Sequence, residues 1–241
     1  MILTAHQPVY LPWLGLFHKI ALAHTFVSFN QVQYLPKDWN NRNKIKTPQG
    51  PIWLTVPVLR KGYLEKKINE IEINNNEPWQ RKHWRSLLTN YRFSPYFKKY
   101  EDFFEDVYKR EWKLLGDLNE YMLRWFLDIL GIKVKIIVAS DFWFQGTKSD
   151  LVLDMCEQLC AHTYIFGALG KCYANIDKFE HAGIKLFFQD YHYPKYPQLH
   201  GPFIPYLSIV DLLFNCGESS MDIIMSDNIS KTQIEKIFSC S

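Results

Sequence analysis

Apolar and polar positions fall in blocks along this chain, and the period inside each block predicts its elements. Ile2-Leu3-Thr4-Ala5 is a short apolar run that reads as a first strand. In the His6 to Trp13 stretch that follows, Pro8 and Pro12 forbid a helix interior, and Pro12 presses Leu11 toward extended backbone. Residues 14–23 are apolar at helical spacing, interrupted by His18 and Lys19. Thr25-Phe26-Val27-Ser28-Phe29 reads as the second strand, emptying into Asn30-Gln31-Val32-Gln33-Tyr34 and a polar loop over 37–44.

Residues 52–58 form another strand pattern, and 68–73 alternate apolar and polar as a half-buried strand does, with a basic, turn-like stretch over 59–67 between them. The texture then turns helical. Residues 79–91 make one segment behind Pro78, and Ser94 is placed to cap a next helix with Pro95 just inside it. A helical stripe runs from Phe97 through Phe104, Leu115, Met122 and Phe126 to Ile129, stopped by Gly131. A second α/β half follows: strands over 134–138, 163–166 and 184–188, helices over 151–160 and 179–182, and a long loop over 189–205. A last helix starts at Ser208, its candidate cap. The pattern predicts an α/β fold with a mostly parallel sheet, ligand loops at strand ends and a helical insertion at about 77–131. This makes a single domain over 1–217, with 218–241 a tail packed on it or trailing it. In open α/β sheets ligands bind beyond the C-terminal ends of the strands.

Composition narrows the class. At 241 residues, 47% hydrophobic and 22% charged, the chain has material for a sizeable core. A net charge of +3 is too small to hold duplex nucleic acid by electrostatics, so no nucleic-acid partner is expected. Five cysteines without regular spacing argue against a disulfide framework, and no Cys/His set has zinc spacing, so no metal site is expected. With no leader pattern and no apolar run of spanning length, the expectation is a soluble, cytoplasmic protein without a membrane span, of unspecified oligomeric state.

The chemistry concentrates at two predicted strand ends. His6, beside Gln7, titrates near working pH in its ordinary state and is a candidate base or ligand contact; bonding the adjacent loop backbone is the plainer alternative. Tyr10 and Trp13 offer flat faces fixed by prolines, or else fill a buried corner. Trp39, Asn41, Arg42, Asn43 and Lys44 are the densest polar set: Arg42 can hold a phosphate or carboxylate bidentately, and Lys44 adds a point charge. Lys148, in Thr147-Lys148-Ser149-Asp150, opens a helix where a phosphate would be welcome, although plain capping explains the hydroxyls nearly as well. Gly167 to Tyr173 is a weak phosphate-loop signal. The chain has no Gly-x-Ser-x-Gly, His-Glu-x-x-His or nucleophile triad, which weighs against covalent catalysis.

Gln7-Pro8-x-Tyr10-Leu11-Pro12-Trp13-Leu14-Gly15 resembles the opening signature of the WbqC-like family. The resemblance continues through Val32-Gln33-Tyr34, Asn41-Arg42-Asn43 and Trp53-Leu54-Thr55-Val56-Pro57, and resumes at Tyr196-x-Gln198 and over 207–214, with Asp211. It implies a place in bacterial surface-polysaccharide (O-antigen) biosynthesis, where acylated amino sugars occur. It also implies acidic residues where Asn30 and Gln31 stand. The expected function is transfer of an acyl or aminoacyl (glycine-like) group to the amine of a nucleotide-linked amino sugar. Arg42, Lys44 and Lys148 would bind phosphates or the acyl carboxylate, and His6 would deprotonate or orient the amine. Gln7, Asn41, Asn43 and Gln198 would read hydroxyls, while Gln33 and Asp211 enter through the resemblance. Such a ligation needs ATP or an activated acyl donor. The alternatives are an ATP-dependent nucleotidyl transferase, for which the His-x-Gly-His spacing is absent, and a non-catalytic module binding a glycan precursor or a partner.

Overall fold

A computed structural model describes residues 1–239. Its centre is a five-stranded, wholly parallel sheet in the order β5-β2-β1-β6-β7, made of β1 (Ile2–His6), β2 (Thr25–Ser28), β5 (Lys135–Val138), β6 (Thr163–Phe166) and β7 (Lys185–Phe188). A two-stranded antiparallel hairpin, β3 (Arg42–Thr47) and β4 (Gly50–Thr55), stands apart from it. The fold is therefore α/β, a parallel core with an added hairpin and inserted helices.

Period-two alternation decides which residue faces which layer. Leu3 and Ala5 of β1, Val27 of β2 and Ile137 of β5 point to one face, where α5 (Lys148–Gln158) and α6 (Ile176–His181) contribute Val152, Met155, Cys156 and Phe179. On the opposite face Ile2 and Ile165 meet Leu22, Ala23 and Ile234, while Phe26 joins the largest apolar cluster. That cluster is built from α1 (Leu14–Ala21), the hairpin, α2 (Trp79–Tyr91), α3 (Phe97–Lys109), α4 (Leu115–Ile129) and α7 (Ile209–Cys216). The chain after Gly217 packs on the domain as α8 (Ser220–Met225) and α9 (Lys231–Ser239), the latter burying Ile234 against β1 and β6. Among the described residues no helix is long and apolar enough to cross a membrane.

Several elements differ from the sequence pattern, each for a physical reason. The polar segment expected as a loop through residue 44 enters β3 at Arg42. Its inward face carries Asn43 beside Ile45, so alternation of burial persists where alternation of hydrophobicity does not. The expected strand over 68–73 is a 3-10 turn at Ile68–Glu70, because Ile68 and Ile71, three apart, are both buried and Glu70 accepts from the Lys67 N–H at 2.8 Å. The long stripe, by contrast, is the buried helix pair its pattern favours, α3 and α4, separated where Leu114 takes extended backbone. Ser94 does not cap α3: its hydroxyl donates to the Tyr91 carbonyl, and Tyr96 holds the cap position. Helix α5 starts at Lys148, three residues earlier than its apolar pattern.

Strand order sets the switch point of the sheet. From β1 the chain builds outward through β2 to β5, then returns across β1 to add β6 and β7. The direction reverses between β1 and β6, and at such a switch point the loops leaving the C-terminal strand ends part to form a crevice. His6 ends β1 there.

Candidate functional site

The loop leaving β1 is held open by backbone and amide bonds. Leu11 sits at φ +47°, which its neighbours must sustain. Asn43, wholly buried in β3, donates its amide to the Leu11 carbonyl and accepts the Lys44 N–H at 2.7 Å. Asn40 donates to the Pro8 carbonyl at 2.9 Å and to Gln7 Oε1 at 3.2 Å, and Tyr10 N–H reaches the Trp39 carbonyl at 3.2 Å. Far along the chain, Ser208 N–H bonds the Lys44 carbonyl and Ile209 N–H the Pro12 carbonyl. Loop, hairpin and the start of α7 are thus bonded into one frame.

This frame presents a run of rings. The imidazole of His6 meets the indole of Trp13 edge-on at 5.3 Å between centroids, Trp13 meets Trp39 at 5.8 Å, and Trp39 meets Trp53 at 5.5 Å. Trp53 is 41% exposed, and Trp13 and Trp39 are half-buried, so the ribbon is an open face. Register in the hairpin sets Lys44 directly opposite Trp53. The Lys44 ammonium lies 4.8 Å and the Arg42 guanidinium 4.3 Å from that indole's centroid. The guanidinium is further tied to the Lys37 carbonyl.

His6 heads the ribbon in a defined protonation state. Its Nδ1 lies 2.8 Å from the Gln7 carbonyl, which can only accept, so Nδ1 carries the proton and Nε2 the lone pair. Burial, then the nearby Lys19 ammonium, lower its pKa from 6.5 to about 3, against a small upward pull from the Gln7 bond.

The structure gives other candidates to the frame rather than to the open face. Tyr10 is fully buried, its hydroxyl 2.8 Å from His83 Nδ1 and 2.6 Å from the Tyr108 hydroxyl, which corrects its reading as an accessible platform. Asn41 is buried and donates to the Val56 carbonyl while its Oδ1 has no described partner, and Asn43 is engaged by Leu11 and Lys44; burial keeps both amides off the open face. Asp211 is also fully buried. Its two oxygens accept from Tyr91 at 2.7 Å and Tyr196 at 2.9 Å, and burial raises its pKa although both hydroxyls work the other way. Gln198 is consumed in the same region, accepting from Lys46 Nζ and the Ile204 N–H and donating to the Ile204 carbonyl. Exposed Gln33 bonds the Leu64 carbonyl, and exposed Lys148 opens α5, whose first turn is tied to the start of α6 by Ser149 Oγ accepting from the Asn175 N–H at 2.9 Å and Asp150 pairing with Lys178 at 2.8 Å. The amide of Asn30 both donates to and accepts from Ser140, clipping the ends of β2 and β5, a pairing that a carboxylate cannot make in both directions.

The sequence pattern misses three contributors. Trp53 reads as a strand residue within the family resemblance, Asn40 as loop polarity and Lys19 as an interruption in the apolar spacing of a helix. Two concavities of about 490 and 480 Å³ lie elsewhere, one by α5 and α6 and one by His24 and His162, and neither includes the tryptophans.

A half-exposed tryptophan face with two cations at one end and an imidazole at the other, seated at a switch point of a parallel sheet, is the candidate site of this α/β protein. Residues 7–223 match the model of the WbqC-like protein family, and the chain belongs to that family, which is consistent with a role in bacterial surface-polysaccharide biosynthesis. It is 36% identical over 220 residues to the uncharacterized protein Rv1507c of Mycobacterium tuberculosis (strain ATCC 25618 / H37Rv), covering 90% of this chain and 95% of that one. No solved structure matches the chain.

Proposed function

We propose that the ribbon binds a nucleotide-linked amino sugar and that the protein transfers an acyl or aminoacyl group to the sugar amine. The observation that carries this reading is the unbroken series His6, Trp13, Trp39, Trp53 ending beneath Arg42 and Lys44. Sugar and base rings stack on indole faces, and the diphosphate linking them suits a guanidinium and an ammonium. The amine then lies toward His6. In the reaction the neutral amine attacks the carbonyl carbon of an activated acyl donor, a C–N bond forms as the bond from that carbon to the leaving group breaks, and the leaving group departs with the bonding pair and the proton that the amine nitrogen gives up. His6 Nε2, holding a lone pair, accepts a hydrogen bond from the amine and so aims the nitrogen's own pair at the carbonyl.

Tryptophan-fluorescence titration with UDP- and dTDP-linked amino sugars tests this. Saturable binding is expected, weakened about tenfold or more in Trp53→Ala and in Arg42→Ala and unchanged in Lys148→Ala. Equal affinity in all four proteins, or no binding of any nucleotide sugar, would overturn the reading.

A further inference from the structure

Helix α1 carries two polar residues on an otherwise apolar surface, and both are buried. His18 is accounted for: Nε2 donates to the Ile229 carbonyl at 2.9 Å and Nδ1 accepts from Gln189 at 2.7 Å. Lys19 is not. It is 4% exposed, and among the described residues no carboxylate lies within ion-pair reach. One of its three N–H groups meets the Ala5 carbonyl at 3.0 Å, and the other two have no described acceptor. Lysines are almost never buried without a counter-charge, because the ammonium loses its hydration for nothing. The carbonyl it grips belongs to the peptide that joins Ala5 to His6.

We infer that Lys19 is a positioning residue for His6: the Gln7 carbonyl on Nδ1 fixes the lone pair on Nε2, and the Lys19 ammonium, seated on the peptide before the imidazole, adds to burial in opposing a second proton there. The groups around His6 leave Lys19 as the one charge that acts on it. Its strand partner on β2 is Ser28, its ring neighbour is Trp13, and Gln7 offers a carbonyl and an amide. On the β6 side, β1 pairs with Thr163, Tyr164 and Ile165, none of them charged near neutrality. The two groups divide the pH range between them. Burial brings Lys19 down from 10.5 to about 7. Above that pH an imidazole is neutral on its own account, and below it the lysine charges and repels a second proton on His6. The catalytic meaning, a hydrogen-bond acceptor for the sugar amine at every working pH, rests on the function proposed above. The protonation state itself does not.

The test is long-range 1H–15N correlation NMR on protein labelled at histidine nitrogen, with His6→Gln identifying the His6 signals. Wild type is expected to show His6 as the Nδ1–H tautomer, without a titration step between pH 8 and about 4.5. Lys19→Met removes the charge and is expected to raise the His6 midpoint by about one pH unit, while Lys19→Arg keeps it low. A wild-type His6 that titrates near 6.5, or that carries its proton on Nε2, overturns the inference even if Lys19→Met does not fold. An unmoved midpoint in a folded Lys19→Met protein reduces Lys19 to a stitch between α1 and β1 and also overturns it. Failure of every nucleotide sugar to bind would leave these spectra as they are, so the two readings fall separately.

Discussion

Acidification provides a quantitative handle on His6. Its folded pKa, about 3, lies below the ordinary 6.5, so between those values the unfolded chain binds a proton that the folded chain refuses. The stability contributed by neutral, half-buried His6 is therefore present in full above about pH 6.5 and drains away as pH falls toward 3. At pH 5 the unfolded histidine is about 1.5 pH units below its midpoint while the folded one is still neutral. At roughly 1.4 kcal/mol per pH unit this is a loss of about 2 kcal/mol. Other groups also titrate, so the useful quantity is a difference. Urea unfolding followed by the fluorescence of the eight tryptophans, at pH 7 and pH 5, is expected to show wild type losing about 2 kcal/mol more than His6→Gln between the two conditions. With a urea slope of roughly 3 kcal/mol per molar, the midpoint of wild type should fall by about 0.7 M more than that of the variant. If both proteins lose the same stability, His6 is protonated in the folded state at pH 5, and the reasoning about its burial and its lysine is refuted.

Two further substitutions probe the frame. Asp211→Asn leaves one acceptor oxygen for two tyrosine hydroxyls, and the orphaned donor should cost about 1–3 kcal/mol, read as a melting temperature lower by several degrees; an unchanged melt would show that the hydroxyls find other partners. Gly217 sits at φ +55°, and a Cβ there would run into the ring of Tyr96, so Gly217→Ala should destabilise by about 2 kcal/mol or more in the same urea assay, and full stability would contradict it.

What the sequence makes legible follows from how much each residue's environment is local. The inner strands β1, β2 and β6 are visible because burial on both faces demands short apolar runs, and the half-buried edge strands β5 and β7 keep similar runs; all five fall within two residues of them. Strand β3 is hidden because an amide, Asn43, takes an inward position beside Ile45 where a second apolar side chain would have marked the strand. At the site, Trp39 with Arg42 and Lys44 stands out, since an indole seldom sits among charges without a task. The destinations of Tyr10, Asn43, Gln198 and Asp211 were not readable, because each is decided by a partner far along the chain: His83, Leu11, Lys46, Tyr91. Lys19 is the extreme case. On a helical wheel it is an ordinary polar residue, and only the sheet beneath α1 turns it into a buried charge.

The position of β1 also sets a timetable for synthesis. The first strand made becomes the centre of the sheet, and Thr4 waits for Ile165, 161 residues later, before that edge is closed. The Pro12 carbonyl waits longer still, for Ile209. At roughly 5–20 residues per second, a ribosome leaves the opening segment and its tryptophans without their late partners for about 10–40 seconds. A nascent chain interrupted before β6 carries an apolar strand with one bare edge, ready to pair with another chain. Expression of this protein should accordingly be sensitive to chaperone supply and to truncation, well before any substitution at the ribbon is felt.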